Sequence, residues 1–472
     1  MQVTLPDADV LVLYGVPSQE LESLLREWLA ESDERYAVVL EDDERALLGL
    51  TTHERIRYCF AENEEALKKV SWELVFLSFA FLEFPGNSQK DPSKMNAFYG
   101  HLEFILKGVH LVASDFFKQG VDRLDNFLQN GSRAKEMRDG RELFGKFEGV
   151  PAVICGAGPS LEEDIEFLRE AQESALIFAG GTALSALSKL GITPHFGGMV
   201  DPHPPSERYK EGKSLQIPTF FQMRVHPDHL GEELLWMPGQ ENDLFENESF
   251  DGGWNSATFL TSISYRLGCN PIILVGVDLA QQKGRVYAAG LERPEGGDWI
   301  EVGKDGLLTT RDWLFAADWL SQIAEGAPVV TWINRSKGLE IEGFATSGGD
   351  LPEKRDLAPV VKQALSGIER GISLPIAPAE IEQSIARVGE LVAEILALLE
   401  TLFPQSPNLN GEYALLKREI ENTLAYEQFF APVWEVWKYP VARQVPKGVP
   451  EGYGLEVHKW LLIKGICDGR SV

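Results

Sequence analysis

Five consecutive residues, Gly156-Ala157-Gly158-Pro159-Ser160, follow the apolar run Val150 to Ile154 and precede Leu161, Ile165 and Leu168 at helical spacing. A strand, a glycine turn and a helix start in that order converge backbone amides on one point, an anion site of the kind that holds phosphate. Ser160, with Glu163 three residues later, has the spacing of a capping box. Glycines after a strand also serve simply to turn the chain, and Glu162, Glu163 and Asp164 already offset the helix dipole. The motif alone does not decide between these roles. The dinucleotide fingerprint is incomplete, because its third glycine position holds Leu161. The next strand, Ala175 to Ala179, ends in Gly180-Gly181-Thr182 where an acid for the ribose is wanted, so NAD is disfavoured.

What this turn can do depends on the elements that carry it. From Val150 to Gly348, runs of strand length alternate with helical patterns. After the first strand come Ala175 to Ala179, a helix from Thr182 to Leu190, His195 to Val200, Thr219 to Met223 and Leu234 to Met237; a helix from Ser256 to Leu267 then leads to Pro271 to Val275 and Val329 to Ile333. Such alternation predicts an α/β fold with a Rossmann-like, doubly wound, mostly parallel central sheet, whose ligands bind beyond the carboxyl ends of the strands. That rule gathers Gly156 to Ser160, Gly180 to Thr182, Asp201 and His203, Gln222 and Arg224, and Asp278 at one edge. Each alone is an ordinary turn or cap residue, and only their convergence makes a candidate site. Gly252 and Gly253 would let backbone approach a ligand, Asn255 or Ser256 would cap a helix, and Asn334 and Ser336 either close the pocket or make a turn.

Around this core the chain reads as four parts: a smaller N-terminal α/β domain at 1–115, a helical connector at 116–149, the central domain at 150–348 and a C-terminal helical domain at 349–472. In the first part Val10 to Leu13, Tyr36 to Leu40 and Leu74 to Phe79 are expected strands, and Leu21 to Leu29 a helix. Its first turn has the single glycine Gly15, and Pro17 removes an amide, so it reads as a degenerate nucleotide fold whose acids Glu41, Asp42 and Asp43 form a solvated turn. Lys118, Arg123, Arg133, Lys135 and Arg138 offer charges to an acidic partner, but a solvated helix face is the more ordinary explanation. In the last part Ile381, Ile385, Val388, Leu391, Ile395, Leu398 and Leu402 mark one apolar stripe, expected to pack against its neighbours.

A formal net charge of −28 over 472 residues argues against general binding to nucleic acid or anionic membranes, which needs a basic face. Cys59, Cys155, Cys269 and Cys467 are scattered without metal spacing, and the first residues carry no signal pattern. The most apolar stretch, Leu74 to Phe84, is too short to span a bilayer. A cytoplasmic protein with reduced thiols and no membrane insertion is expected.

Three blocks carry a family resemblance: Cys-Gly-Ala-Gly-Pro-Ser-Leu at Cys155 to Leu161, Asp201-Pro202, and Leu-Gly-Cys-Asn-Pro-Ile-Ile-Leu-Val-Gly-Val-Asp-Leu-Ala at Leu267 to Ala280. They resemble the motility accessory factor (Maf) family, bacterial glycosyltransferases that attach nonulosonic, sialic-acid-like sugars to flagellin serines and threonines. The central domain of that family is shared with archaeal-type hydroxymethylpterin diphosphokinase, and its glycine turn is similar to that of the bacterial family 42 sialyltransferases, which use a CMP-activated sugar. The resemblance implies a CMP-sugar as donor substrate, a protein acceptor and no certain cofactor. Gly156, Ala157, Gly158, Pro159 and Ser160 would hold the nucleotide phosphate, Gly180, Gly181 and Thr182 would line the nucleoside, and Asp278 would stand beside them. Tyr287, Lys283 or Arg285 would stabilise charge on the leaving phosphate, and His203, or alternatively Asp201, would take the acceptor proton. Two positions depart from the family pattern. Val286-Tyr287-Ala288-Ala289-Gly290 stands where the family often has a histidine before a small residue and glycine, and Val277 stands where a glutamine is usual. Two alternatives follow: an ATP-dependent diphosphokinase of a pterin-like molecule, in which Asp201 and Asp278 would hold Mg2+, and a catalytically degenerate binding protein.

Overall fold

Unbroken apolar runs become buried strands, and helices fall where apolar residues recur every three or four positions. The computed structural model describes residues 5–48, 53–82, 91–202, 216–239, 249–288, 291, 299–302, 306–348, 351–403, 407, 410–446 and 448–469. The chain packs as two compact units, one made of Met1–Gly120 with Ile385–Arg470 and the other of Val121–Ser384. The helices after residue 349 are therefore divided between the units, whereas the linear reading makes them one domain.

The first unit begins β1 (Val10–Tyr14), α1 (Gln19–Ala30), β2 (Tyr36–Glu41), β3 (Ile56–Phe60), α2 (Glu64–Glu73) and β4 (Phe79–Phe81). Its four strands are all parallel, in the order β3-β2-β1-β4. Ser18 caps α1, and Leu21, Leu25, Trp28 and Leu29 form its buried face. Two expectations are corrected here. Leu74 to Phe79 is not a strand: Leu74 and Val75 are buried because they close the C-terminus of α2, and only Phe79 onward pairs with β1. Glu41 is not solvated but 1% exposed. Its carboxylate accepts the amides of Val16 at 3.2 Å, Asp42 at 2.9 Å and Asp43 at 3.1 Å, tying the β1–α1 turn to the end of β2.

Next comes α3 (Pro92–Ser132), a helix of 41 residues and thus about 60 Å long. Tyr99, Leu102, Ile105, Leu106, Val109 and Ala113 join the core of the first unit, together with Val436. From Val121 onward the same helix belongs to the second unit.

The second unit continues β5 (Arg138–Asp139), β6 (Ala152–Cys155), α4 (Ile165–Ala171), β7 (Leu176–Gly180), α5 (Thr182–Lys189), β8 (Phe196–Met199), β9 (Thr219–Phe221) and β10 (Leu234–Trp236). After these come α6 (Ser256–Arg266), β11 (Ile272–Val275), the hairpin β12 (Ile300–Val302) and β13 (Leu307–Thr309), α7 (Arg311–Gly326), β14 (Trp332–Asn334), α8 (Ala358–Ser366) and the start of α9 (Pro378–Leu402). The expected doubly wound sheet is present with eight strands, all parallel, in the order β14-β11-β6-β7-β8-β9-β10-β5. Strand order reverses between β6 and β11, which is where such sheets open their ligand crevice. Phe178, Phe196, Phe220 and Phe259 fill the core between the sheet and α6.

The first unit is completed by the rest of α9, α10 (Gly411–Glu421), a π-helical turn at Tyr426–Phe430, α11 (Ala431–Gln444) and α12 (Glu451–Gly469). Ile381, Ile385, Val388, Leu391 and Ile395 are buried as the stripe predicts, while the stripe's far end turns through Leu399 rather than Leu398. Among the described residues no helix is long and apolar enough to cross a membrane.

Candidate functional site

The glycine turn lies at the switch point, but the amides of Gly156, Gly158 and Ser160 are already engaged. The amide of Gly156 donates to Val275 O at 2.8 Å, that of Gly158 to Gly276 O at 2.8 Å, and that of Ser160 to Asp278 Oδ2 at 2.9 Å. The Ser160 hydroxyl donates to Asp278 Oδ1, which also accepts the Lys337 amide at 3.1 Å. Asp278, 2% exposed, thus acts as the anion that the turn was expected to recruit. The glycines allow this closeness. A Cβ on Gly156 would run into the carbonyl of Gly276, and one on Gly158 would lie 2.5 Å from Asp278 Oδ2 and 2.7 Å from Gly276 O. The loops after β6 and β11 therefore close against each other where an open crevice was predicted.

The expected capping box is replaced accordingly. Pro159–Asp164 is a 3-10 turn before α4, its N-cap is Gly158 without a side-chain cap, and Ser160 is drawn to Asp278, 118 residues away. Glu163 pairs instead with Lys337, and Asp164 with Arg335 at 2.5 Å. Of the two residues offered as closing the pocket, Ser336 accepts the Val277 amide at 2.8 Å, while Asn334 accepts the Ser336 amide at 2.9 Å. Both brace the 276–278 loop. Leu279 follows with a left-handed φ of 50°, a conformation that a leucine keeps only when its surroundings hold it there.

The segment carrying Tyr287 lies along the turn, since the Ala288 amide donates to Ala157 O at 2.9 Å. Lys283 and Arg285 are exposed, and Arg285 is paired with Glu162 at 3.0 Å. One strand further on, Gly181 adopts φ 52° and starts α5 without any side-chain cap. Gly180 is pressed between Gly198 O and Ser256, so the start of α6 lies beside that of α5. The two helix starts differ: Asn255 accepts the Ala257 and Thr258 amides in a full capping box, while α5 presents an uncapped N-terminus with Thr182 part-exposed. That end carries the partial positive charge of a helix dipole, so it can take a phosphate oxygen.

Asp201 is exposed beyond β8 and acts electrostatically on His229. His203 lies outside the described residues. Asp201 and Asp278 follow strands three intervals apart, about 14 Å at the ~4.8 Å strand spacing, and both carboxylate oxygens of Asp278 already accept from Ser160 and Lys337. Among the described residues no group of three or more His, Cys, Asp or Glu is arranged to hold a metal. The residues present do not fit the shared Mg2+ site of the diphosphokinase alternative. Cys155, at the end of β6, has its thiol pushed far up by burial and then by Asp164, which keeps it protonated.

Sequence reasoning missed the residues that hold the β8 and β9 loops. Asn126 donates to Pro202 O and Arg224 O, both at 2.8 Å, and Asn130 donates to Met223 O at 2.8 Å and Val225 O at 2.7 Å. Their spacing of four residues on α3 was the available signal. Arg123, expected on a solvated face, is 6% exposed. His229 is also buried in this region, its imidazole pushed below its ordinary range by burial and then by His226. Gln222 spans outward from β9 to donate to Pro238 O at 2.9 Å.

An eight-stranded parallel sheet with polar residues gathered beyond its carboxyl ends defines the second unit as a Rossmann-like α/β domain. Within that class, residues 125–284 match the family described as 6-hydroxymethylpterin diphosphokinase MptE-like. In fold the chain is similar to the MAf glycosyltransferase from Magnetospirillum magneticum AMB-1, with a TM-score of 0.53 and 17% identity over 98% of this chain and 78% of that one. Both findings fall on the families that the sequence blocks resemble. A comparison with curated proteins found no match.

Proposed function

We propose that the chain is a glycosyltransferase that moves a nonulosonic, sialic-acid-like sugar from a CMP donor to a serine or threonine hydroxyl of a protein such as flagellin. The observation that supports this most is the extent of the fold likeness to a glycosyltransferase, which takes in 98% of this chain, whereas the diphosphokinase-like match ends at 125–284. In this reading the acceptor oxygen attacks the anomeric carbon. The bond from that carbon to the phosphate oxygen breaks, CMP leaves with the electron pair, and the acceptor proton goes to His203 or Asp201. Because the amides of Gly156, Gly158 and Ser160 are engaged, the phosphate is met by the uncapped start of α5 at Gly181 and Thr182. Tyr287 approaches from the side of the turn, and Asp278 shapes that wall rather than touching the nucleotide.

Calorimetric titration with CMP and with ATP, each with and without magnesium, tests the reading on the wild type and on Thr182→Asp. An acid in the first turn favours the helix dipole by roughly 0.3–1 kcal/mol, so the variant should melt no lower than wild type while losing CMP binding. Undiminished CMP binding by the variant removes α5 from the phosphate site. Binding of ATP alone, and only with magnesium, moves the assignment to the diphosphokinase, and binding of neither nucleotide moves it to a degenerate binding protein.

A further inference from the structure

A cavity of about 750 Å3 opens at the edge of the same sheet opposite the candidate site, among the residues that precede β8, β9 and β10 and beneath α8. It is separated from the candidate site by the length of the strands and uses none of its residues. Its charges are matched in number: Arg138, Arg169 and Lys362 against Glu173, Glu233 and Asp356. Most are also engaged locally. Arg138 pairs with Glu233, which also meets Arg370 at 2.6 Å; Arg169 pairs with Glu166 at 2.7 Å, and Glu173 with Lys354 at 2.7 Å. A charged ligand would have to displace these pairs or be met only by the exposed Lys362 or Asp356, whose charges water screens.

What the cavity offers instead is apolar surface with a directed donor. Pro194, Ile217, Val361 and Leu365 line it. His195 lines it too, and its Nδ1 accepts the Ile177 amide at 3.0 Å. A ring nitrogen that accepts carries no proton, so in the neutral imidazole the proton sits on Nε2, which has no partner among the described residues. Burial holds this histidine neutral, pushing its pKa down to about 4 against the pull of Asp356. The volume is that of a site for a drug-sized molecule.

We propose that this cavity binds an uncharged, largely apolar molecule bearing a carbonyl oxygen, which lies on the apolar wall and accepts a hydrogen bond from His195 Nε2. The site is independent of the glycosyltransferase reading and survives its failure.

The test is fluorescence titration of the full chain with 7-methoxycoumarin, a neutral aromatic lactone, alongside coumarin-3-carboxylate, which adds a charge to the same ring system. Saturable binding of one methoxycoumarin per chain is expected, with the carboxylate at least about tenfold weaker. Ala358→Trp and Ser366→Trp, at exposed positions lining the cavity, each place an indole over it and should abolish binding. His195→Asn keeps an acceptor for the Ile177 amide but has a shorter side chain, so affinity should fall about fivefold to tenfold, the worth of one hydrogen bond. Circular dichroism establishes that each variant is folded, and CMP titration reports separately on the other edge. Absence of saturable methoxycoumarin binding, equal affinity for the carboxylate, or full binding by both folded tryptophan variants overturns the proposal.

Discussion

Replacing Gly158 by alanine distinguishes two reasons for a glycine in a phosphate-type turn. If the glycine lets a ligand approach, alanine weakens binding and leaves stability alone. The structure assigns it to packing instead. Gly158 has φ −64° and ψ 159°, which alanine adopts freely, and by reducing unfolded-state entropy alanine would by itself stabilise by about 0.4–1 kcal/mol. Against this, the new Cβ would lie 2.5 Å from Asp278 Oδ2 and 2.7 Å from Gly276 O. Asp278 must retreat, loosening its bonds from the Ser160 amide and hydroxyl inside a nearly closed site. Hydrogen bonds to a charged group contribute about 1.5–3 kcal/mol each, so loss of most of both, less the entropic gain, leaves a net destabilisation of roughly 2–4 kcal/mol. Hydrogen exchange by mass spectrometry over 156–164 reads this locally: a loss of about 3 kcal/mol speeds exchange there by roughly two orders of magnitude. In an Asp278→Ala background the clash with the carboxylate disappears, so Gly158→Ala should cost at least about 1 kcal/mol less than in wild type. Unchanged exchange and melting in Gly158→Ala, combined with lost nucleotide binding, would refute the packing argument.

Two further outcomes follow from the same unit. Asn130→Ala deprives the Met223 and Val225 carbonyls of a buried donor, so it should cost about 1–3 kcal/mol and accelerate exchange over 223–225; exchange confined to its wild-type rate there would show that α3 does not hold this loop. His195 is lowered in the folded protein to about 4 from an ordinary 6.5, so the unfolded chain takes up its proton first as pH falls. Its contribution to stability is complete above pH 6.5 and is lost between 6.5 and 4, by roughly 3–4 kcal/mol at ~1.4 kcal/mol per unit. Denaturant melts at pH 7 and pH 4.5 should show that loss shrinking in His195→Asn, and an identical loss in the variant would assign it to other groups.

Most strands of the large sheet were legible because their β-branched, apolar runs are bounded by glycine, proline and acidic turns, as at Ile272–Val275 and Leu176–Gly180. β3 was not, since Ile56–Phe60 carries Arg57 and is only partly buried. Leu74 and Val75 misled because apolar residues closing a helix look like the start of a strand. The polar residues show the same division. Gly156 to Ser160, Asp278 and Tyr287 do gather at one edge, as parallel topology requires, but spacing could not reveal that Ser160 turns to Asp278 instead of Glu163. Glu41 and Arg123 read as solvated because charged residues usually are; Glu41 is buried where the turn at Val16 closes on it, a contact its own neighbours do not announce.

The first unit is assembled from two stretches that the whole of the second unit separates in the chain. As the polypeptide leaves the ribosome, β1 to β4 can pair and take the apolar face of α3 from Tyr99 to Ala113 at once, but the same core must wait for Val436, with Trp437 and Tyr439 beside it. For that interval the side of this core that Val436 closes stays uncovered, an apolar surface of the kind that chaperones bind and on which aggregates nucleate. Chains cut short after residue 384 should accordingly release a folded central unit joined to a sticky N-terminal one, so the last helices act as the closing step of folding.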